Sequence, residues 1–235
     1  MALVGGVFAE SVFVEDFEKA SAAESVGMVD GAAAWQTRGN RPLLSVMEDT
    51  DGLKAGNALR MTKGLVFVNF PEVELAEGDS LEVSFRYRFP EALQETGFPF
   101  RVGVAWDESG NPAEGNTPGY WFMSNPGAEN GLAMINLEEG TDGSLGGGSD
   151  IPILAPQFQT PASGTGVNKL TLTVARPSGD GVDVSARIND DSPNTRTDTA
   201  GKVTKFNVLA LSIATNGSTE FLVDDVNVTV NRKAM

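Results

Sequence analysis

Two short acidic runs stand near opposite ends of the chain: Val14-Glu15-Asp16-Phe17-Glu18, and Phe221-Leu222-Val223-Asp224-Asp225-Val226-Asn227-Val228. In the second run Leu222, Val226, Val228 and Val230 share one parity and mark a core-facing row, and Asp224 falls in that row. A carboxylate turned toward a core carries a large desolvation cost unless it is paired, hydrogen-bonded or bound to a metal. The terminal strands of a sandwich commonly lie side by side. Residues 15–18 can then meet Asp224 and supply part of the roughly six to eight oxygens that calcium takes. Magnesium fits less well, because it demands tight octahedral geometry. The alternative is that Asp224 sits at a strand end or accepts backbone amides.

Other carboxylates come in pairs. Glu72 and Glu74 would share a strand face, and Asp107-Glu108 and Glu138-Glu139 are neighbours. Glycoside hydrolysis asks for two carboxyl groups roughly 5–10 Å apart across a cleft. Adjacent acids arise readily, however, in a chain with 32 acidic against 17 basic residues and a net charge of −15. Tyr87 between Arg86 and Arg88 has the residue types of a lyase, yet its row reads as core. The chain has no Cys and no His. Disulfides, thiolate catalysis, sulfur-built zinc sites and the Ser-His-Asp and Cys-His mechanisms are thereby excluded. The glycine-rich residues 143–148 lack the Gly-Lys-Ser/Thr ending of a phosphate loop. Asp49-Thr50-Asp51-Gly52 opens like a calcium loop but has no closing Glu, and reads as a turn. With no cluster of Lys and Arg, neither nucleic acid nor an anionic membrane surface is an expected partner. The acidity suits solubility, divalent cations or a marine or halophilic setting.

The elements that must position these groups have a period of two. Leu81, Val83, Phe85, Tyr87 and Phe89 alternate with Glu82, Ser84, Arg86 and Arg88, the pattern of a half-buried antiparallel strand. Leu170, Leu172 and Val174 alternate likewise. Val182, Val184, Ala186 and Ile188 follow after the turn at 177–181, which predicts a hairpin. Further strands are expected at 12–17, 42–47, 58–62, 65–70, 100–106, 119–123, 132–137, 207–215 and 221–230, separated by turn-forming stretches. With 27 Gly and 12 Pro and no long amphipathic run, the chain reads as all-β, a two-sheet antiparallel sandwich of jelly-roll, concanavalin-like type. Long loops are expected at 107–118 and 138–163.

Residues 1–9 read either as the tail of a signal peptide, with Glu10 the first mature residue, or as an ordinary first strand. Residues 10–235 read as a single domain. No apolar stretch approaches the roughly 20 residues needed to span a bilayer, and no membrane insertion is expected.

Phe17-Glu18, Trp35 and the closing Val223-Asp224-Asp225-Val226 resemble the pattern of calcium-carrying jelly-roll carbohydrate-binding modules. The ending is also similar to the wider laminin-G/concanavalin-like group of secreted bacterial domains. Phe100-Arg101-Val102-Gly103-Val104 and Gly119-Tyr120-Trp121-Phe122 are similar to surface proteins of planctomycete and verrucomicrobial type. The resemblance spans nearly the whole chain through short motifs. It implies a structural calcium held by Glu18 and by Asp224 or Asp225; Asp16, in the same acidic run, is a further candidate ligand from the residues themselves. It departs from the family where Ala34 replaces the usual Gly before Trp35. Trp35, Trp106, Trp121 and Tyr120 are the candidates for stacking on the C–H faces of sugar rings. Tyr120 and Trp121, adjacent in a strand, point to opposite faces, so one is expected buried and the other exposed. The expectation is a non-catalytic secreted or cell-surface bacterial domain that binds polysaccharide. The alternatives are a surface assembly protein packing against its own copies or other surface proteins, and a carboxylate-based glycan-cleaving enzyme. The laminarinase-type signature Glu-x-Asp-x-x-Glu is absent.

Overall fold

A computed structural model describes residues 6–19, 24–25, 35–38, 44–49, 53, 56–62, 64–91, 100–109, 117–125, 132–140, 151–152, 158–161, 165–199, 203–213 and 220–234. Among these residues there are seventeen strands and no helix, hence no helix long and apolar enough to cross a membrane. The first six strands are β1 (Val7–Glu15), β2 (Glu24–Ser25), β3 (Gln36–Arg38), β4 (Leu44–Asp49), β5 (Gly56–Met61) and β6 (Gly64–Glu74). Then come β7 (Ser80–Arg88), β8 (Phe100–Ala105), β9 (Gly119–Asn125), β10 (Leu132–Gly140), β11 (Ile151–Pro152) and β12 (Phe158–Pro161). The last five are β13 (Asn168–Ala175), β14 (Val182–Ile188), β15 (Asn194–Asp198), β16 (Lys205–Ile213) and β17 (Phe221–Lys233).

The strands form two antiparallel sheets. The first has the order β15-β14-β13-β7-β17-β5-β4-β2, with β1 also paired to β17. The second has the order β11-β10-β9-β8-β16-β6-β3, with β12 also on β10. The predicted hairpin is β13–β14, and the two terminal strands pair as expected, with Glu15 opposite Val226 and Val7 opposite Lys233. Beyond that pair the amide of Ala234 donates to the carbonyl of Gly6 at 2.9 Å. Residues 1–5 of the N-terminal apolar run lie outside the described residues, and Val7–Ala9 already belong to β1. The expected loop at 138–163 contains the end of β10 and the short strands β11 and β12.

Inward-facing rows of both sheets meet in one core. Leu81, Val83, Phe85 and Tyr87 from the first sheet pack against Val102, Val104, Tyr120 and Phe122 from the second. Aromatic rings bridge the layers at one end, with Phe100 5.0 Å from Phe221 and 5.3 Å from Tyr87 between centroids. Tyr87 is fully buried, so burial pushes its phenol well above the ordinary value and keeps it neutral. A lyase role for it is thereby excluded by access.

Two expectations about facing are corrected. First, Tyr120 and Trp121 do point to opposite faces, but both are fully buried. The outward row of the second sheet is itself apolar: Leu65, Phe67, Ala105, Trp121, Met123, Val208 and Ala210 form a second buried cluster. Small residues make room for the indole. Gly103 lies opposite Trp121, and a Cβ there would come within 2.2 Å of the ring. Second, Asp224 is not in the core row. The β17–β7 register shifts between Asp224 and Asn227, and Asp225 has a left-handed φ of 52°. This bulge inverts the parity. Val223, Val226, Val228 and Val230 face the main core, while Leu222 joins Leu53 and Ala58 in a third cluster.

Asp79 ties the turn between β6 and β7 to the last strand. Its carboxylate, 5 % exposed, accepts from the amides of Ala76 and Lys233 and from the Arg232 guanidinium at 2.7–3.0 Å. Burial alone would raise this carboxyl, but Arg232 and the two amides outweigh burial and hold it below its ordinary 3.8. A depressed carboxylate stabilises the fold above its unfolded value and loses that contribution as pH falls through the folded one. Asp79→Asn is expected to cost about 1–3 kcal/mol at neutral pH. Thermal melting at pH 7 and at pH 3 checks this: the gap between variant and parent narrows at the lower pH.

Candidate functional site

Trp106 is the one tryptophan of the three that keeps contact with solvent; Trp35 and Trp121 are fully buried, as is Tyr120. These three offer no face to a ligand. Trp35 packs against Phe13 and Phe17, and Tyr120 donates its hydroxyl to Asp198 at 3.3 Å.

The sequence around Trp106 holds it firmly. β8 ends at Ala105, and the amide of Trp106 still donates to the carbonyl of Pro118 at 2.9 Å. Asn207 of β16 clamps the next residue, its Oδ1 accepting from the Asp107 amide at 2.9 Å and its Nδ2 donating to the Asp107 carbonyl at 2.8 Å. Asp107 then closes an Asx turn by accepting from the amide and hydroxyl of Ser109. On the neighbouring strand Pro71 lacks an N–H for the ladder, and the β6–β16 pairing shifts register there. Past that irregularity Glu72 accepts the Trp106 Nε1–H at 3.1 Å. Lys205 stands between two carboxylates, 3.7 Å from Glu72 and 3.6 Å from Glu74. Trp106, Pro118, Val203, Thr204 and Lys205 line a cleft of about 400 Å³. That volume lies within the range of small-ligand sites. An indole fixed by its N–H beside a triad of charged groups can stack an apolar ring face and hydrogen-bond its hydroxyls. Sequence reasoning named Trp106 but missed Glu72 and Lys205 as its neighbours. Pro71 inside a strand was the available signal, because it forces the irregularity that brings Glu72 to the indole.

The acidic runs meet where β17 changes partner. On one edge β17 pairs with β7. On the other it pairs with β5 through Phe221–Val223 and with β1 from Val226 onward. Asp224 and Asp225 occupy the changeover. Asp224 is 1 % exposed, and its Oδ1 accepts from the Asp225 amide at 2.7 Å, so the backbone-amide alternative is met. Asp225 lies 3.4 Å from Arg86. From the end of β1, Glu15 accepts from the Phe17 amide and Asp16 from the Glu18 amide. The exposed Glu18 carboxylate lies over Gly56, in the space a Cβ would fill, and accepts from the Asn57 amide at 3.3 Å. Phe17, like Asp225, has a left-handed φ, here 55°. Nearby, the buried Asp49 carboxylate is held by Arg88 in a bidentate pair at 2.6 and 3.1 Å. The expected ligands are thus brought to one junction. Among the described residues, however, no group of three or more His, Cys, Asp or Glu side chains converges there.

The open face of the first sheet is polar. Thr229, Glu82, Thr173, Ser185 and Thr195 form one cross-strand row over β17, β7, β13, β14 and β15. A groove of about 210 Å³ lies there, between Thr171, Arg187 and Pro193. It can hydrogen-bond, and among the described residues lining it none is aromatic.

No family model and no curated protein matches the chain. Solved structures do. An endo-β-1,4-glucuronan lyase from the fungus Trichoderma reesei superimposes with a TM-score of 0.51 at 10 % identity, over 91 % of this chain and 95 % of the lyase. The likeness is one of fold. Basic winged bean lectin follows at 0.49 and 9 % identity, over 96 % of this chain and 98 % of the lectin. An endo-1,3-β-glucanase from Streptomyces sioyaensis gives 0.45 at 14 %, over 94 % and 96 %. The chain is a jelly-roll sandwich of the concanavalin-like kind.

Because two tryptophans are fully enclosed, a neutral quencher such as acrylamide is expected to reach about one third of the tryptophan emission. In Trp106→Phe the quenchable fraction should nearly vanish. Unchanged quenching in that variant would show that another indole is open.

Proposed function

We propose that this domain binds polysaccharide without cleaving it, as a secreted or cell-surface protein, with Trp106 as the stacking platform. The observation that carries this reading is a half-buried indole, pinned through its N–H by Glu72, on the wall of a cleft that also presents Lys205. The non-catalytic part is supported by the carboxylates there. Glu72 and Glu74 come from the same strand and share one lysine, rather than facing each other across the cleft as acid and base.

The test is binding of soluble oligosaccharides by titration calorimetry. Trp106→Ala is expected to weaken binding by at least about tenfold, or ~1.4 kcal/mol, with thermal melting nearly unchanged. Full affinity in that variant, or no glycan bound by the parent, sinks the reading.

We further propose a structural calcium at the changeover of β17. Asp224 supports it, as a nearly inaccessible carboxylate at the bulge, and so does Glu18, which reaches the same junction from β1. Calcium's remaining oxygens would come from backbone carbonyls and water. Melting in EDTA, with calcium or magnesium then restored, checks it. At a calcium concentration 100 times the dissociation constant the native state gains about 2.7 kcal/mol, or roughly 5–10 °C in a domain of this size. The gain is expected to be calcium-specific and lost in Asp224→Ala. Equal melting with and without metal in both proteins rules the ion out.

A further inference from the structure

We infer that the Trp106 cleft takes an uncharged pyranose chain with equatorial hydroxyls and rejects polyuronates, an inference that rests on reading this cleft as a glycan site. Among the described residues lining the cleft Lys205 supplies the positive charge, and it stands 3.7 Å from Glu72 and 3.6 Å from Glu74. Two carboxylates against one ammonium leave one negative charge beside the indole. Glu108, exposed two residues beyond Trp106, adds to the same sign, as does the chain's net charge of −15. A uronate carboxylate entering here would have to displace one of Lys205's partners and then sit against the other. Like charges a few ångströms apart at a protein surface discriminate by about tenfold or more.

The same triad is well matched to hydroxyl groups. Carboxylate oxygens accept from sugar O–H groups, and the ammonium, with its surplus N–H bonds, donates to sugar oxygens. Neutral hydroxyls make these bonds without removing a charge from its partner. Equatorial substituents leave the axial C–H bonds as a flat apolar face for the indole, whereas axial hydroxyls would hold the ring away from it. Glu72 has a double duty: Oε2 fixes the indole N–H while Oε1 is the atom nearest Lys205. Glu74 touches Lys205 alone of the two, so it tunes charge without positioning Trp106.

The experiment compares hexamers of β-1,4-glucose, β-1,4-xylose, β-1,4-glucuronate and α-1,4-galacturonate in calorimetric titrations at low salt. Parent, Trp106→Ala and Glu74→Lys proteins are used, each checked by melting. The parent is expected to bind a neutral hexamer at least about tenfold more tightly than either uronate. Salt should narrow that ratio, because screening weakens exposed charges. Glu74→Lys should also narrow or invert it. A parent that binds uronates as tightly as neutral hexamers, with binding lost in Trp106→Ala, overturns the charge selection and leaves the glycan site standing. A neutral preference untouched by Glu74→Lys also overturns it. No binding of any hexamer, or binding indifferent to Trp106→Ala, overturns the glycan site itself.

Discussion

The last strand has two edges and three partners, and much of the domain's shape follows from that mismatch. β7 occupies one edge, so β5 and β1 must share the other in succession. A strand cannot serve two neighbours at the same residues, and the handover leaves Asp224 and Asp225 between them. The bulge absorbs the discontinuity, twists the strand and turns Asp224 away from the core. Phe17, at the end of β1, is a second left-handed residue beside the gap and is buried despite that backbone strain. Polar contacts reinforce the surroundings, with Arg88 holding the buried Asp49 carboxylate and the exposed Arg86 reaching the carbonyl of Leu53 at 3.0 Å. Removing Arg88 would leave the Asp49 carboxylate desolvated and unpaired by its guanidinium.

The second sheet solves a different problem. Where β6, β8, β9 and β16 lie side by side, described residues of both parities are buried and apolar, and the packing on the outer row depends on the absence of side chains. Gly103 faces Trp121 directly, while Ala105 and Ala210 keep the rest of that row shallow. With Trp35 and Trp121 enclosed, the indole left in contact with solvent is that of Trp106 at the sheet's end. There a proline, an asparagine clamp and an Asx turn fix the chain.

Periodicity made the sandwich legible. Alternation along 81–89 and the turn at 177–181 correspond to β7 and to the β13–β14 hairpin almost residue for residue. The meeting of the chain's ends was also readable, from the acidic runs and the hydrophobic rows around them. What failed was the parity of Asp224. Counting by twos assumes an unbroken ladder, and one extra residue leaves Val226, Val228 and Val230 rightly placed but inverts Leu222 and Asp224 on its other side. The Tyr120–Trp121 expectation failed for a related reason: alternation gives the direction of a side chain but does not say whether that side is wet. At the candidate site Trp106 was legible by type alone, whereas Glu72, Glu74 and Lys205 are brought beside it by the β6–β16 register, of which Pro71 marks the irregularity but not the partner.

The antiparallel union of β1 and β17 places residues 6 and 234 within one hydrogen bond of each other. A pull applied to the two ends would therefore not shear that ladder, in which case all its bonds would share the load. It would enter at Val7 and Lys233 and act across the strands, opening one bond after another toward Glu15 and Val226. Under tension the seam behaves as a zipper, and the handover at Asp224–Asp225, where β1 ends, is where the tear would arrive.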